Sequence, residues 1–236
     1  MNLEKLLKRG ALIVFDTETT GLNPAECQII ELAALRIEAT DGTPKITAKM
    51  DEFIKLPEGE RLPVRIVELT GITDEILGSE GKAPDAVARD FIELIGTEPV
   101  TLIAHNAHFD ASFLRGLLRD CEKLPPLKWL DTLTVCRDRT YYPHTLEAMI
   151  ERYKLEGVQN SHRAIDDTLA LFELLKALDN ERDDLDKYLN IFGVNPKYGV
   201  NGEKIRGVTY INQITRSEPA PIGSRLFETA KRGFYD

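Results

Sequence analysis

Cysteine is scarce in this chain, and the three present, Cys27, Cys121 and Cys136, are an odd number without CxxC spacing. That argues against a disulfide framework and a cysteine-based zinc site and leaves them as packing residues. Long apolar runs are missing too: nothing approaches the roughly eighteen residues that cross a bilayer. The segment MNLEKLLKRG has neither a long apolar stretch nor a small-residue cleavage site, so a cytoplasmic protein with no membrane partner is expected. The third absence is a surplus of positive charge. The net charge is −9 over 236 residues, yet from Lys187 onward 8 Lys and Arg face 4 Asp and Glu, leaving 22 against 35 for residues 1–186. Proteins that grip nucleic acid by its backbone usually present a basic surface. An acidic body is compatible with such a ligand where divalent cations neutralise some of the carboxylates. For most of these acids solubility is the plainer account.

What is present is the patterning of an α/β domain with an appendage. ALIVF at 11–15 is a short continuous apolar run ending in a polar turn, as expected of a buried central strand. Residues 28–39 and 46–56 carry β-branched side chains after the turn-forming Asn23-Pro24 and Asp41-Gly42, which predicts two further strands in a meander. Helices are expected at 64–69, 84–95, 109–121, 133–139, 146–153 and 164–178, with strands at 100–104 and 128–130. Three strands followed by alternating helices and strands indicate a mixed sheet flanked by helices. From about residue 180 the character changes, with Gly and Pro recurring in NPKYGVNGEKIRG and SEPAPIGS around a β-type segment at 208–211. Residues 1–180 are therefore expected to form the main domain. Residues 181–236 are a C-terminal extension, either a tail wrapping over the body or a partner-binding piece.

Three segments carry carboxylates where chemistry would use them. Asp16 and Glu18 close the first strand and, at period two, share a face with Leu12 and Val14. Clustered oxygen ligands at a buried strand end call for a hard divalent cation, although an isolated Asp-x-Glu also fits a solvated loop. Asp110, in AHNAHFDASFL, lies on the apolar stripe of Phe113, Leu114 and Leu117; alone it also fits a first-turn acid held by the helix dipole. In SHRAIDDTLALFELLKAL the helical period puts Asp167 with Leu171, Leu174 and Leu178, facing inward, and leaves Asp166 as a solvated first-turn acid. His162 stands five residues before Asp167, where a structural histidine is the ordinary alternative. The three segments begin or end elements whose topology would gather them at one sheet edge, the usual place for sites in open α/β sheets.

FDTETTGL, HNAHFD and HRAIDD resemble the three motifs of the DEDDh 3′→5′ exonucleases. That ribonuclease H-like group includes the epsilon proofreading subunit of bacterial DNA polymerase III and the exonuclease domain of the Gram-positive replicative polymerase. The resemblance covers about residues 8–180, and LTGIT at 69–73 is also similar. It implies a mixed five-stranded sheet, an acidic quartet of Asp16, Glu18, Asp110 and Asp167, and His162 as general base. It further implies two Mg²⁺ or Mn²⁺ ions about 4 Å apart, one activating water and the other stabilising the departing 3′-oxygen. Asp16 would bridge them, Glu18 and Asp167 completing the nucleophile's site and Asp110 supporting the second. The family also points to Thr17 for the 3′-hydroxyl, Leu22 as a wedge beside the terminal bases and Asn106 against the scissile strand. A turn residue and a helix cap are the plain alternatives for Leu22 and Asn106. His105 and His108 are expected to be structural, and Phe109 and Phe113 to lie in the core.

The expected partner is a single-stranded or frayed 3′ end of DNA, with a DNA polymerase as a candidate protein partner. RNA is the rival substrate, since ribonuclease T and oligoribonuclease resemble the same motifs and the choice depends on contacts to the 2′-OH. A non-catalytic polymerase accessory or DNA-end-binding module is the rival from another class. Gln213-Ile214-Thr215 lacks the apolar-aromatic ending of a sliding-clamp peptide.

Overall fold

A computed structural model describes residues 3–121 and 124–213. Its organising element is β1 (Ala11–Thr19), whose run from Ala11 to Phe15 is fully interior because both of its faces are covered. Gly10 introduces it at φ 133°, with the Pro99 carbonyl where a Cβ would sit, so only glycine lets the two segments start side by side. β2 (Ile29–Thr40) and β3 (Thr43–Phe53) follow as an antiparallel meander. β4 (Val100–Ala104) and β5 (Leu127–Asp131) add in parallel on the other side. The order β3-β2-β1-β4-β5 is the mixed five-stranded sheet expected of a ribonuclease H-like domain.

Side-chain alternation along β1 sorts the core into two layers. Ile13 and Phe15 face α4 (Pro84–Ile95) and α5 (Ala107–Leu117), where Phe15 meets Phe91 and Trp129 edge-on. Leu12 and Val14 face the other layer, built from α6 (Thr132–Arg139), α7 (Leu146–Tyr153) and α8 (Ala164–Glu181). Each fully buried Leu, Ile or Phe contributes about 1.5–3 kcal/mol, so this double burial holds β1 more firmly than any local propensity. Because β1 and β4 run parallel, their carboxyl ends lie together, and both feed into the site.

α1 (Glu4–Leu7), α2 (Val64–Thr70) and α3 (Asp74–Glu80) complete the body. α1 and α3 are too short for a periodic signal, and no helix was expected there. Thr73 caps α3 by accepting the Ile76 N–H, so LTGIT is a helix stop at Gly71 followed by a new start. α5 begins at Ala107, two residues before the expected start.

Beyond α8 the described chain stays against the body. A 3₁₀ turn (Leu185–Tyr188) leads to β6 (Ile191–Val194), which pairs in parallel with β7 (Thr209–Asn212). Phe192 enters the core beside Trp129, Gly193 N–H donates to Thr134 Oγ1, and Gln213 Nε2 donates to the Thr134 carbonyl. β6 was not anticipated, because Phe192 is its single fully buried side chain and a four-residue strand shows no period. SEPAPIGS and residues 214–215 of the peptide discussed above lie outside the described residues. Among the described residues no helix is long and apolar enough to cross a membrane.

Candidate active site

Asp16 and Glu18 sit on the α8 side of β1, half-buried, at the end where the β1–β2 register shifts between Glu18 and Thr19. Such a bulge re-aims the side chains beside it. Thr17 points to the opposite face and is buried, its hydroxyl donating to Asp110 Oδ1 at 2.7 Å. That hydroxyl is therefore engaged by a carboxylate of α5.

Asp110 lies in the first turn of α5, buried, and its place depends on how the helix starts. The preceding residue, Asn106, has a left-handed backbone at φ 73° and its side chain makes no cap hydrogen bond. Asp131 supplies the cap from the end of β5: its Oδ1 accepts N–H groups from Asn106 and Ala107 at 2.9 and 3.1 Å. The same carboxylate accepts the Leu133 and Thr134 N–H groups and so starts α6 as well. Asn106 is left exposed with its amide free of capping duty.

Asp167, in the first turn of α8, is buried, whereas Asp166 is half-buried and accepts the Ser161 hydroxyl at 2.6 Å. Asp166 is thus the first-turn acid expected from the helical period, partly covered by the loop before α8. That loop also holds Asp167: Asn160 Nδ2 donates to one carboxylate oxygen at 2.8 Å and Ser161 N–H to the other at 3.1 Å. His162 is exposed and also left-handed, at φ 55°. Such a conformation costs a non-glycine residue about 1 kcal/mol or more and persists only where neighbours impose it. The two residues after it are held by Glu31 of β2, fully buried, which accepts the Ala164 N–H at 2.9 Å and pairs with Arg163 at 2.8 Å. Glu31 therefore caps α8 from the sheet.

Glu31, Arg163, Asn160 and Asp131 were not singled out in the sequence. Two of them left a trace. Glu31 is a lone charge inside the apolar IIELAAL, and Asp131 ends a short strand just before a helix, an ordinary cap position.

Acidic groups dominate the electrostatics. Asp16 is pushed well above the usual carboxylate range, first by burial and then by the charges of Asp110, Glu18, Asp167 and Glu31. Burial and Asp167, Glu31 and Asp110 raise Glu18 to about 8, with Arg163 acting against them. Asp110 is raised to about 7 by burial, opposed by the Thr17 hydrogen bond. Asp167 is raised to about 7 by burial, with the Ser161 N–H opposing and Asp166 adding. Ligand atoms of Glu18, His162 and Asp167 all lie within 4.8 Å of one another. Carboxylates held at raised pKa by burial, and at Asp16 and Glu18 also by neighbouring acids, with an imidazole beside them, are a donor set that a hard divalent cation fits, since its charge favours their ionised form.

Two cavities flank this cluster. One, of about 460 Å³, is lined by His105, Asn106, Arg137, Tyr142, Asn160 and His162 among others. The other, of about 210 Å³, runs past Leu22 and Asn106 to the loop after β6. Leu22 is 77% exposed on the β1–β2 loop. His105 bonds Thr132 Oγ1 and the His144 carbonyl and is held below the usual histidine range by burial, so it ties loops together. Phe113 is buried in the core, with Phe109 half-buried against it.

The family model described as "Exonuclease", of RNase T type, matches residues 13–175. The PolC-type DNA polymerase III of Bacillus subtilis (strain 168) is 38% identical over 180 residues, 72% of this chain and 12% of that protein. Its counterpart in Latilactobacillus sakei is 33% identical over 200 residues, 84% of this chain and 13% of that one. This chain thus spans about an eighth of the curated relatives it matches. Among solved structures, E. coli Exonuclease I in complex with a dT13 oligonucleotide superposes with a TM-score of 0.64 at 19% identity, over 75% of this chain and 43% of that one. That likeness speaks to the fold. With the family model covering β1 to α8, where every carboxylate of the cluster lies, this chain belongs to the RNase T exonuclease family, the DEDDh group that its motifs resemble.

Proposed function

We propose that this protein is a metal-dependent 3′→5′ exonuclease that hydrolyses DNA from a single-stranded or frayed 3′ end and releases nucleoside 5′-monophosphates. The observation that carries this reading is the convergence of Asp16, Glu18, Asp110 and Asp167 from three distant segments, with His162 beside Glu18 and Asp167. DNA is favoured over RNA by the PolC-type relatives, whose names make them DNA polymerases. The same relatives make a DNA polymerase the natural protein partner.

Asp16, Glu18, Asp110 and Asp167 would hold two Mg²⁺ or Mn²⁺ ions, which when bound acidify a water and offset charge on the departing oxygen. The chain's own residues do the rest. His162, exposed and beside Glu18 and Asp167, accepts the water's proton at a ring nitrogen as the water oxygen attacks phosphorus. The bond from phosphorus to the 3′-oxygen breaks with its electron pair going to that oxygen, which takes a proton from solvent and ends as the hydroxyl of the shortened strand. Thr17 orients Asp110, while Asn160 and Ser161 orient Asp167, so both acids stand fixed before substrate arrives. Leu22 presses on the terminal bases and Asn106 lies along the strand.

End-labelled single-stranded DNA and RNA of matched sequence, each with Mg²⁺, Mn²⁺ or EDTA, test this. A ladder shortening from the 3′ end, abolished by EDTA and faster on DNA, is expected. Cleavage that persists in EDTA would refute the metal site, and faster trimming of RNA would refute the choice of sugar.

A further inference from the structure

The two cavities adjoin at Asn106 and Arg137, which line both, and together they mark out a groove from His162, past Asn106, to Tyr198. Its far wall is made by the loop between β6 and β7, which lies beyond the residues matched by the exonuclease model. That loop is fastened to the body at His108 of α5. Asn201's carbonyl can only accept, so His108 Nε2 carries the proton and donates to it at 2.6 Å. His108 Nδ1 then accepts the Tyr210 hydroxyl at 2.8 Å, and that hydroxyl accepts the Ile205 N–H at 2.9 Å. Every member of this chain of bonds is satisfied, which makes the loop a fixed wall. Arg137 adds a second tie, donating to the Gly193 carbonyl at 3.1 Å.

On this wall stands Tyr198, 75% exposed and lining the groove, with Lys197 Nζ 5.0 Å from its ring centroid. Leu22, another large exposed apolar side chain, lines the same cavity from the β1–β2 loop. The described stretch from Lys187 to Gln213 carries Lys187, Lys197, Lys204 and Arg206 against a single acid, Glu203, in a protein whose body is strongly acidic. An aromatic face beside a cation, on a groove that reaches His162 at its other end, is how a single strand is held: charges follow the phosphates and a ring takes a base.

Resting on the exonuclease reading, we propose that the β6–β7 loop is the second wall of the substrate groove. Tyr198 stacks on a nucleobase of the strand upstream of the nucleotide being removed. The loop thereby gives the enzyme a preference for longer strands, because a dinucleotide cannot occupy both the carboxylate cluster and the far end of the groove.

The test uses the full chain and oligothymidylates. Stacking of one base contributes about 1–3 kcal/mol, which is roughly 5- to 150-fold in affinity. In Tyr198→Ala the ratio of kcat/KM for dT12 over dT2 should fall by about tenfold, and Tyr198→Phe should restore it. An unchanged ratio in Tyr198→Ala would overturn the proposal, as would failure of Tyr198→Phe to restore it. Fluorescence anisotropy of labelled dT12 in EDTA reads binding without hydrolysis, so the groove is judged even if no nuclease activity is found. Weaker binding by Tyr198→Ala than by the unaltered chain is expected there. Equal binding, or none by the unaltered chain, would sink it.

Discussion

Arg163 closes on Glu31 at 2.8 Å across 132 residues of sequence, joining the start of α8 to the start of β2. Glu31 is 0% exposed and faces Glu18 in the β1–β2 register, so a buried carboxylate stands right beside the acidic cluster. By capping Ala164 it fixes where α8 begins, and therefore where Asp167 and His162 stand.

Removing the cation should show this. Arg163→Ala leaves Glu31 buried with the Ala164 N–H as its partner, and stability should fall by about 2–3 kcal/mol. This is below the ~3–5 kcal/mol of a fully interior pair because part of Arg163 is in solvent. Denaturant midpoints measure the loss. Activity should fall more than stability alone explains, since the His162 backbone loses its restraint, and Arg163→Lys should recover part of both.

Substitution of the acids separates ligand from base. Asp16→Ala and Asp167→Ala should abolish hydrolysis of an end-labelled oligonucleotide, while His162→Ala should lower it by about a hundredfold or more. Calorimetric titration with Mn²⁺ distinguishes the roles. Affinity should collapse in the two Asp variants and change only a few-fold in His162→Ala. Near-normal turnover by Asp167→Ala would remove it from the site.

The raised carboxylates set a pH dependence with a definite sign. Glu18 at about 8 and Asp110 and Asp167 at about 7 hold protons more tightly folded than unfolded, where their values are 4.5, 3.8 and 3.8. Their contribution to stability is therefore complete below about pH 4 and is lost as pH rises through 7 to 8. Metal-free protein should lose Tm between pH 5.5 and 8.5 relative to a variant with these acids neutralised. Saturating Mn²⁺ should restore it, by about 2.7 kcal/mol at a hundred times Kd, and more at pH 8.5 than at pH 6 because protons compete for the same oxygens. Scanning calorimetry with and without EDTA checks both.

Thr17→Val keeps the side chain's shape and deletes its donor. The Thr17 hydrogen bond holds Asp110 down, so the variant's Asp110 should titrate higher and the rise of kcat with pH should move to higher pH. Stability should fall by about 1–2 kcal/mol, the cost of leaving a buried acceptor without its donor. An unshifted pH profile would show that Asp110 does not act in the rate-limiting chemistry.

The strands and helices of the body were legible because they depend on periodicity within a short window. β4 and α7 fall on the bounds expected from their apolar patterns, and β1, β2 and α8 differ only at their ends. The inward aim of Asp167, and of Asp16 and Glu18 toward the α8 layer, followed from the same periods. The partial cover that Ser161 gives Asp166 was not foreseen, because it comes from a loop, and loops have no period.

Sequence alone determined the alternation that buries β1 on both faces, the order of the elements, and three carboxylate motifs whose spacing marks the family. All of these are written in neighbouring residues. Tertiary structure alone decided that Thr17 serves Asp110 from 93 residues away, that Glu31 caps α8 and that the β6–β7 loop closes the groove at Tyr198. Hydrogen bonds and ion pairs between distant segments impose no pattern on either partner's surroundings, so they appear only once the chain has folded.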